Sequence, residues 1–277
     1  SYMDGWWDCQ ALDQFSDKLL SGRIDKQVKV KNPAFFSQVI KAYIFNAQTK
    51  KRAYIVGKEH YDIGNDLFSL MLDERMNYSC GYWRNANSLE QAQINKLDLV
   101  CRKLHLEPGM NVLEIGCGWG GFAKFAAEKY GVTVHGVTVS KEQMNFAKKS
   151  CEGLKTSFEL KDYRDLDAKY DAIVSIGMFE HVGYKNYNTF MNVANRCLTD
   201  DGLFLLHTIG RNTPGFTTDP WTNKYIFPNG MTPSSSQISE ALQGFFVVED
   251  WHNFGQDYDT TLMLSLIHIS EPTRRNS

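Results

Sequence analysis

A short apolar run that ends in a cluster of glycines constrains this chain more than any other feature. Residues 110–121 read M-N-V-L-E-I-G-C-G-W-G-G, and residues 122–130 then have the composition of a helix. A strand, a glycine turn and a helix form the pattern of nucleotide-binding α/β proteins. Glycine permits the sharp turn and lets a ligand approach main-chain N–H groups at the start of the helix. The pattern therefore predicts a nucleotide-type ligand at this turn.

Glu114 indicates which ligand this is. The spacing Gly116-x-Gly118-x-x-Gly121 also satisfies the dinucleotide fingerprint, which is weak by itself. A carboxylate two residues before the first glycine is unfavourable beside a pyrophosphate and favours a ligand with a cationic head, such as S-adenosylmethionine (SAM). An ordinary turn without ligand is a third interpretation, and four glycines in six residues argue against it. The sequence thus favours SAM over a dinucleotide, and both over no ligand.

Apolar runs and helical patterns alternate from residue 88 onward. The predicted strands cover 112–115, 132–139, 156–160, 170–177, 202–209 and 245–249, and the predicted helices cover 88–104, 122–130, 141–153, 187–198 and 234–242. Such alternation with short loops is typical of a mostly parallel sheet with helices on both faces. Ligands of these sheets bind at the carboxyl ends of the strands.

The residues before this region are basic and helical. Residues 18–58 contain ten Lys or Arg against one acidic residue, in a chain of net charge −2. An amphipathic helix is predicted over 34–49. This basic segment predicts either contact with an anionic membrane surface or a solvated helical face, and composition alone slightly favours the second. The overall charge gives no reason to expect nucleic acid. We predict an N-terminal basic helical region at 1–57 and a catalytic domain at 58–263.

The six cysteines show neither paired spacing nor a zinc pattern. They are interpreted as reduced thiols of a cytosolic protein. Neither a signal peptide nor an apolar run long enough to span a bilayer is recognisable.

Polar residues follow the predicted strands at their carboxyl ends. Thr138 and Gln143 follow the second strand and offer groups for ribose hydroxyls. Tyr163 follows the third strand and could flank an adenine, although Arg164 and Asp165 beside it could equally belong to a turn with paired charges. Glu180 and His181 follow the fourth strand, and His207 lies near the end of the fifth. A histidine in an apolar strand is more often structural than catalytic, but Glu180 on the neighbouring strand end favours a site.

With these residues assembled, the chain resembles the cyclopropane-fatty-acyl-phospholipid synthases. The resemblance runs from residue 1 to about residue 263. The motifs that carry it are H-Y-D-I-G-N-D-L-F at 60–68, Y-S-C-G-Y-W at 78–83, L-E-I-G-C-G-W-G-G at 113–121, G-M-F-E-H-V-G at 177–183, L-L-H-T-I-G at 205–210, W-T-N-K-Y-I-F-P-N-G at 221–230 and E-D-W-H-N-F-G-Q-D-Y-D at 249–259. It implies a Rossmann-like SAM-dependent methyltransferase with a small N-terminal helical region.

The resemblance also implies two sets of binding residues. The set implied to hold SAM is Tyr78, Ser79, Glu114, Gly116, Cys117, Gly118, Gly120, Thr138, Gln143, Tyr163 and Arg164. The catalytic set implied to bind a bicarbonate or carbonate ion is Cys80, Glu180, His207, Ile209 (through its backbone) and Tyr258. No metal is implied.

The implied reaction transfers the SAM methyl carbon to a cis double bond, after which a weak base removes a proton and the ring closes. Bicarbonate would be that base, and Glu180, His207 and Tyr258 would orient it. The aromatic residues expected to line an acyl slot, or else the core, are Phe179, Tyr184, Trp221, Tyr225 and Phe227. The implied partners are phospholipids with cis-unsaturated acyl chains and an anionic membrane surface, with a homodimer as the assembly. The implied location is the cytoplasm, peripherally at the inner face of the membrane.

The last residues depart from the family pattern. Residues 264–277 resemble read-through from a vector or sequencing adapter, so we expect a non-native tail and a catalytic domain that lacks its final strand. Two alternatives to the synthase stay open. One is a SAM-dependent methyltransferase of another small-molecule or lipid acceptor, and the other is a catalytically inactive SAM-binding fragment.

Overall fold

The chain forms two compact units, Ser1–Phe45 and Asn46–Ser277. The computed structural model describes residues 2–23, 46, 48–50, 53–54, 65–216, 218 and 220–270. The predicted helix at 34–49 and most of the basic segment lie outside the described residues, and the boundary at 57 stays a prediction. In the first unit, helix α1 (Leu12–Ser21) follows a 3₁₀ turn (Tyr2–Asp4).

A parallel sheet forms the centre of the second unit. Its strands are β1 (Asn111–Ile115), β2 (Thr133–Thr138), β3 (Thr156–Leu160), β4 (Tyr170–Ile176) and β5 (Leu198–His207). Their spatial order is β3-β2-β1-β4-β5, and every pairing is parallel. The order reverses at β1, which places the glycine turn where such sheets bind their ligands.

Helices connect these strands and cover the sheet. The described helices of this unit are α2 (Asn65–Met71), α3 (Leu89–Lys103), α4 (Gly121–Tyr130), α5 (Lys141–Ser150), α6 (Tyr187–Cys197), α7 (Pro220–Tyr225), α8 (Ser235–Leu242) and α9 (Asp257–Ser270). Serine side chains cap α3, α5 and α8, each by accepting the N–H of the third helical residue. The helix predicted at 88–104 is thereby confirmed, with Ser88 as its cap and Leu89 as its first residue.

The core lies on both faces of the sheet. Val112 belongs to one buried cluster. Leu113 and Ile115 belong to a second buried cluster on the opposite face of the sheet. Alternate side chains of a strand point to opposite faces, so β1 is buried on both sides. The predicted α/β architecture is confirmed, and five of the predicted strands are present.

The prediction of a sixth strand at 245–249 is wrong. Residues 245–249 make no strand pairing with the described part of the chain, and Val247 is 89% exposed. Strand propensity is largely a measure of packing against neighbouring strands, and here β5 pairs only with β4 among the described strands.

Further expectations concern the cysteines, the membrane and the tail. All six cysteines are free thiols. None of the described helices is both long enough and apolar enough to cross a bilayer. Helix α9 continues through residue 264 to Ser270. The foreign origin of 264–277 stays a prediction.

Candidate active site

Two adjacent cavities meet at the carboxyl end of β4, where Gly177 lines both. The turn cavity, about 170 Å³, lies beside the glycine turn that follows β1. The edge cavity, about 1540 Å³, lies beside β5. The residues that line both, which we call the shared wall, are Tyr78, Ser79, Lys96, Gly177 and His181.

The turn cavity collects most of the residues expected to hold SAM. Those that line it are Tyr78, Ser79, Glu114, Gly116, Cys117, Gly118, Thr138, Gln143, Tyr163 and Arg164. Gly120 is the exception. A Cβ at Gly120 would lie 3.0 Å from the Cβ of Ala147, so this glycine is needed for close packing of α4 against α5 and does not line the cavity.

Glu114 is a buried carboxylate at the end of β1. Its side chain is 4% exposed and accepts the backbone N–H of Ala123 in the first turn of α4. Its Oε2 atom has no hydrogen-bond partner among the described residues. Burial raises the pKa of Glu114 well above its usual value, and the positive charge of Lys96 opposes this shift. An unpartnered buried oxygen of this kind is suited to a cationic group of a ligand.

The glycine turn has the backbone conformation that its sequence predicts. Gly116 and Gly118 have φ of +82° and +51°, a region that side chains with a Cβ rarely adopt. The N–H groups of Gly116 and Cys117 both donate to the carbonyl oxygen of Val137. The turn is thereby fixed to the end of β2 at the rim of the cavity.

Thr138 and Gln143 form one polar unit at the end of β2. The Thr138 Oγ1 donates to Gln143 Oε1 over 3.1 Å and accepts the N–H of Ser140 over 3.2 Å. Both side chains are buried. The predicted ribose-binding position is therefore preorganised, and the side-chain nitrogen of Gln143 supplies donor groups there.

Tyr163 and Arg164 follow β3 in a 3₁₀ turn, and they differ in whether their polar atoms already have hydrogen-bond partners. The Arg164 guanidinium donates to both carboxylate oxygens of Asp162 over 2.7 Å, and also to the carbonyl of Gln48. This arrangement matches the alternative of a turn with paired charges. Tyr163 is 5% exposed and packs edge-on against Phe190, and its hydroxyl is buried without a partner among the described residues.

A second cluster of polar groups lies in the edge cavity. Its members are the five residues expected to bind the anion, Cys80, Glu180, His207, Ile209 and Tyr258. Glu180 Oε1 accepts the N–H of Ile209 over 2.7 Å, whereas its Oε2 has no partner within the described part of the chain. The Ile209 N–H is thus engaged with a protein carboxylate, a contact that the sequence did not predict.

The protonation of this cluster follows from burial. Burial raises the pKa of Cys80 to about 11 and that of Tyr258 to about 12, so both keep their protons at neutral pH. Burial and the charge of Lys96 lower the pKa of His207 to about 3, so its ring stays neutral. Burial also raises the pKa of Glu180. The cluster combines retained donors with one carboxylate, a set that can orient a small oxyanion.

The aromatic residues expected in an acyl slot or the core lie in different places, and Tyr184, Trp221 and Tyr225 line neither cavity. Phe179 is fully buried and stacks on Tyr187 at 4.3 Å, so it belongs to the core and not to an acyl slot. Phe227 lines the edge cavity. Phe254, which we did not predict, stacks on the His207 ring at 5.4 Å with an interplanar angle of 10°.

The sequence reading also missed Lys96 and the residues that surround it. Lys96 is 1% exposed, and Gln93 and Asp73 near it are equally buried polar residues. A signal was available, because Gln93, Lys96 and Val100 share the helical spacing of the buried face of α3. A charged residue on such a face indicates either a buried ion pair or a site.

Comparisons with known proteins agree with this geometry. The family model of mycolic acid cyclopropane synthetase matches residues 48–271. Cyclopropane-fatty-acyl-phospholipid synthase of Escherichia coli (strain K12) is 56% identical over 95% of this chain and 69% of its own length. Cyclopropane mycolic acid synthase 1 of Mycobacterium tuberculosis is 40% identical over 68% of this chain and 72% of its own.

Solved structures extend the likeness to the fold. The crystal structure of the mycolic acid cyclopropane synthase CmaA1 complexed with SAH and CTAB has a TM-score of 0.74 and 35% identity. The likeness covers 79% of this chain and 84% of that one. The predicted family resemblance is confirmed.

Proposed function

The chain belongs to the mycolic acid cyclopropane synthetase family, and from this premise we propose that it converts cis double bonds in phospholipid acyl chains into cyclopropane rings. It is a SAM-dependent methyltransferase by its family. The observation that carries the proposal is the shared wall between the turn cavity and the edge cavity. A methyl donor and an acceptor chain could meet at this wall without crossing solvent.

The residues of the turn cavity fit SAM. Glu114 offers the cationic end of the ligand an oxygen that has no partner among the described residues, and Thr138 and Gln143 offer polar atoms to its ribose. Tyr163 presents a buried hydroxyl and ring near the position expected for the adenine. When bound, SAM supplies an electrophilic methyl group. The chain's own contribution is to orient that group toward the edge cavity and to exclude water around it.

The polar cluster of the edge cavity supports the second part of the proposal, a bound bicarbonate or carbonate ion. Tyr258 retains a proton that it can donate, whereas the Cys80 thiol already donates to the Gly81 carbonyl. His207 is neutral, and its Nδ1 atom has no partner among the described residues. The Oε2 of Glu180 can accept a hydrogen bond from a hydroxyl group. When bound, such an ion supplies a weak base for proton removal. Ile209 then acts through its N–H by holding Glu180 in position.

The surroundings of this cluster are suited to a carbocation and an apolar chain. Phe254 stacks on His207, and Phe227 lies beside Tyr78 with ring centroids 6.3 Å apart. Aromatic faces stabilise positive charge, and their edges exclude water. We further propose that the acyl chain is presented from an anionic membrane at the cytoplasmic face. The basic composition of residues 18–58 supports binding to such a membrane surface. The homodimer remains a prediction.

The experiment combines SAM carrying a labelled methyl group with vesicles of cis-unsaturated phospholipid. We expect labelled cyclopropane chains, each gaining one CH2, and no label in vesicles of fully saturated phospholipid. Tyr258→Phe should lose most of the product while it keeps its affinity for SAM, because the hydroxyl belongs to the edge cavity. Lys129→Met, a substitution at an exposed residue, serves as the control.

Two outcomes would contradict the proposal. Binding of SAM without any lipid product would indicate an inactive SAM-binding protein. Transfer of the methyl group to an amine, and not to lipid, would indicate a methyltransferase of another acceptor, which has no need of the polar cluster beside β5.

A further inference from the structure

Lys96 lies at the boundary between the two cavities. It occupies the buried face of α3, is 1% exposed and contributes to the shared wall. An ammonium group is rarely buried to this extent unless it is paired. Yet no ion pair within 4 Å involves Lys96 in the part of the chain that the structure describes. Its position therefore requires another explanation.

The hydrogen bonds of Lys96 give that explanation. Its Nζ donates to Ser79 Oγ over 2.9 Å and approaches Asn77 Oδ1 at 3.4 Å. The backbone of Ser79 is held separately, because Gln93 Nε2 donates to the Ser79 carbonyl over 2.8 Å. An ammonium group can only donate, so the Ser79 oxygen must accept this bond. The single O–H of Ser79 is then left to donate to something else.

A hydroxyl donor in the wall of both cavities suits an anionic group of a ligand. Ser79 lines both cavities, and Glu114 already offers a carboxylate to the cationic part of an amino acid. We propose that Lys96 is a positioning residue, which holds the Ser79 hydroxyl as a donor to the carboxylate of the amino-acid end of SAM. This inference rests on the SAM binding of the proposed function.

The charges around Lys96 are consistent with this role. Asp73, Glu114 and Cys80 face it, and they oppose the burial that lowers its pKa to about 8. Its charge also contributes to the lowered pKa of His207. Above this pKa the neutral amine has a lone pair, so the Ser79 hydroxyl can turn and donate to Nζ instead. Ligand affinity should then fall as the pH rises through about 8.

Two ligands separate positioning from a general structural effect. S-adenosylhomocysteine carries the amino-acid end, whereas 5′-methylthioadenosine lacks it and shares the nucleoside. Calorimetry with the lipid-free protein should show that Lys96→Met weakens the first ligand about tenfold or more and leaves the second unchanged, because a hydrogen bond to a charged group is lost. Lys96→Arg should restore part of the loss. Lys129→Met, which is exposed, is the control.

A double-mutant cycle tests whether Lys96 acts through Ser79. If it does, Lys96→Met in a Ser79→Ala background should cause little further loss, since the two changes remove the same contact. The inference would be overturned if the affinity losses of the two single variants multiplied in the double variant. It would also be overturned if Lys96→Met lowered the affinity for both ligands equally.

A pH series on the unmodified protein covers the case in which Lys96→Met does not fold. The affinity for S-adenosylhomocysteine should fall between pH 7 and 9, and less steeply in Ser79→Ala. The same slope in both proteins would overturn the inference. Absence of S-adenosylhomocysteine binding by the unmodified protein would instead refute the proposed function itself.

Discussion

Replacing Gly121 by alanine should destabilise the protein although its backbone conformation would accept alanine. Gly121 begins α4 and has no positive φ. A Cβ there would lie 2.5 Å from the carbonyl oxygen of Arg75 and 2.9 Å from Asn77 Oδ1. The first neighbour is backbone, so it can give way only if the segment before Tyr78 moves.

The magnitude follows from two opposing effects. Overpacking a tight contact costs about 1–3 kcal/mol. Alanine in a helix gains up to about 1 kcal/mol over glycine. We expect the free energy of unfolding of Gly121→Ala to fall by about 1–2 kcal/mol. We also expect weaker binding of S-adenosylhomocysteine, because Tyr78 and Ser79 follow the displaced segment and line the turn cavity.

Urea unfolding measures the free energy of unfolding, and calorimetry on the folded protein measures the affinity for S-adenosylhomocysteine. Gly153→Ala is the matched control, because Gly153 has φ of +81° and open space around it, so it carries backbone strain without a clash. It should lose stability and keep its ligand affinity. If Gly121→Ala kept both its unfolding midpoint and its affinity, the close approach of α4 to residues 75–77 would be refuted.

Further predictions concern three buried polar groups. The raised pKa of Glu180 means that its contribution to stability is full below its unfolded value near 4.5 and is lost as pH rises through the folded pKa. Glu180→Gln should therefore be more stable than the parent protein at neutral pH, although it should make less product. Urea unfolding of both proteins at pH 4 and pH 7 tests this. The same difference in unfolding free energy between the two proteins at both pH values would contradict it. The His207 ring, with a pKa of about 3, should not titrate between pH 5 and 8 in NMR spectra, and a midpoint near 6.5 would refute its burial as a neutral group. Asp162→Asn should cost about 3 kcal/mol because it breaks a buried two-pronged pair with Arg164, whereas Asp165→Asn, at a more exposed position, should cost far less in the same unfolding assay.

The alternation of strands and helices was predictable because each element carries its own local signal. Strand β3 was predicted with its observed bounds. The helices predicted from residues 88 and 234 begin one residue later, because each serine acts as a cap whose oxygen accepts an otherwise unpaired N–H. Residues 245–249 have the same strand composition, yet Val247 is exposed. Pairing depends on a neighbouring strand, which composition does not reveal.

The candidate site divides in a similar way. Glu114 was predictable because a carboxylate beside a glycine turn is a local feature. The engagement of Arg164 with Asp162 depends on side-chain geometry within one turn, so the sequence left two interpretations open. The contact between Lys96 and Ser79 joins residues 17 positions apart. Only the path of the loop before α3 brings them together.

The shared wall has a thermodynamic consequence. Because Tyr78, Ser79, Lys96, Gly177 and His181 border both cavities, a ligand in one cavity would contact residues that the other cavity also uses. Binding at the two places is therefore coupled, and the coupling is reciprocal: whatever factor one ligand imposes on the affinity of the other must be returned unchanged. For a protein of this design, the order in which its ligands arrive alters the path taken but not the final free energy of the ternary complex.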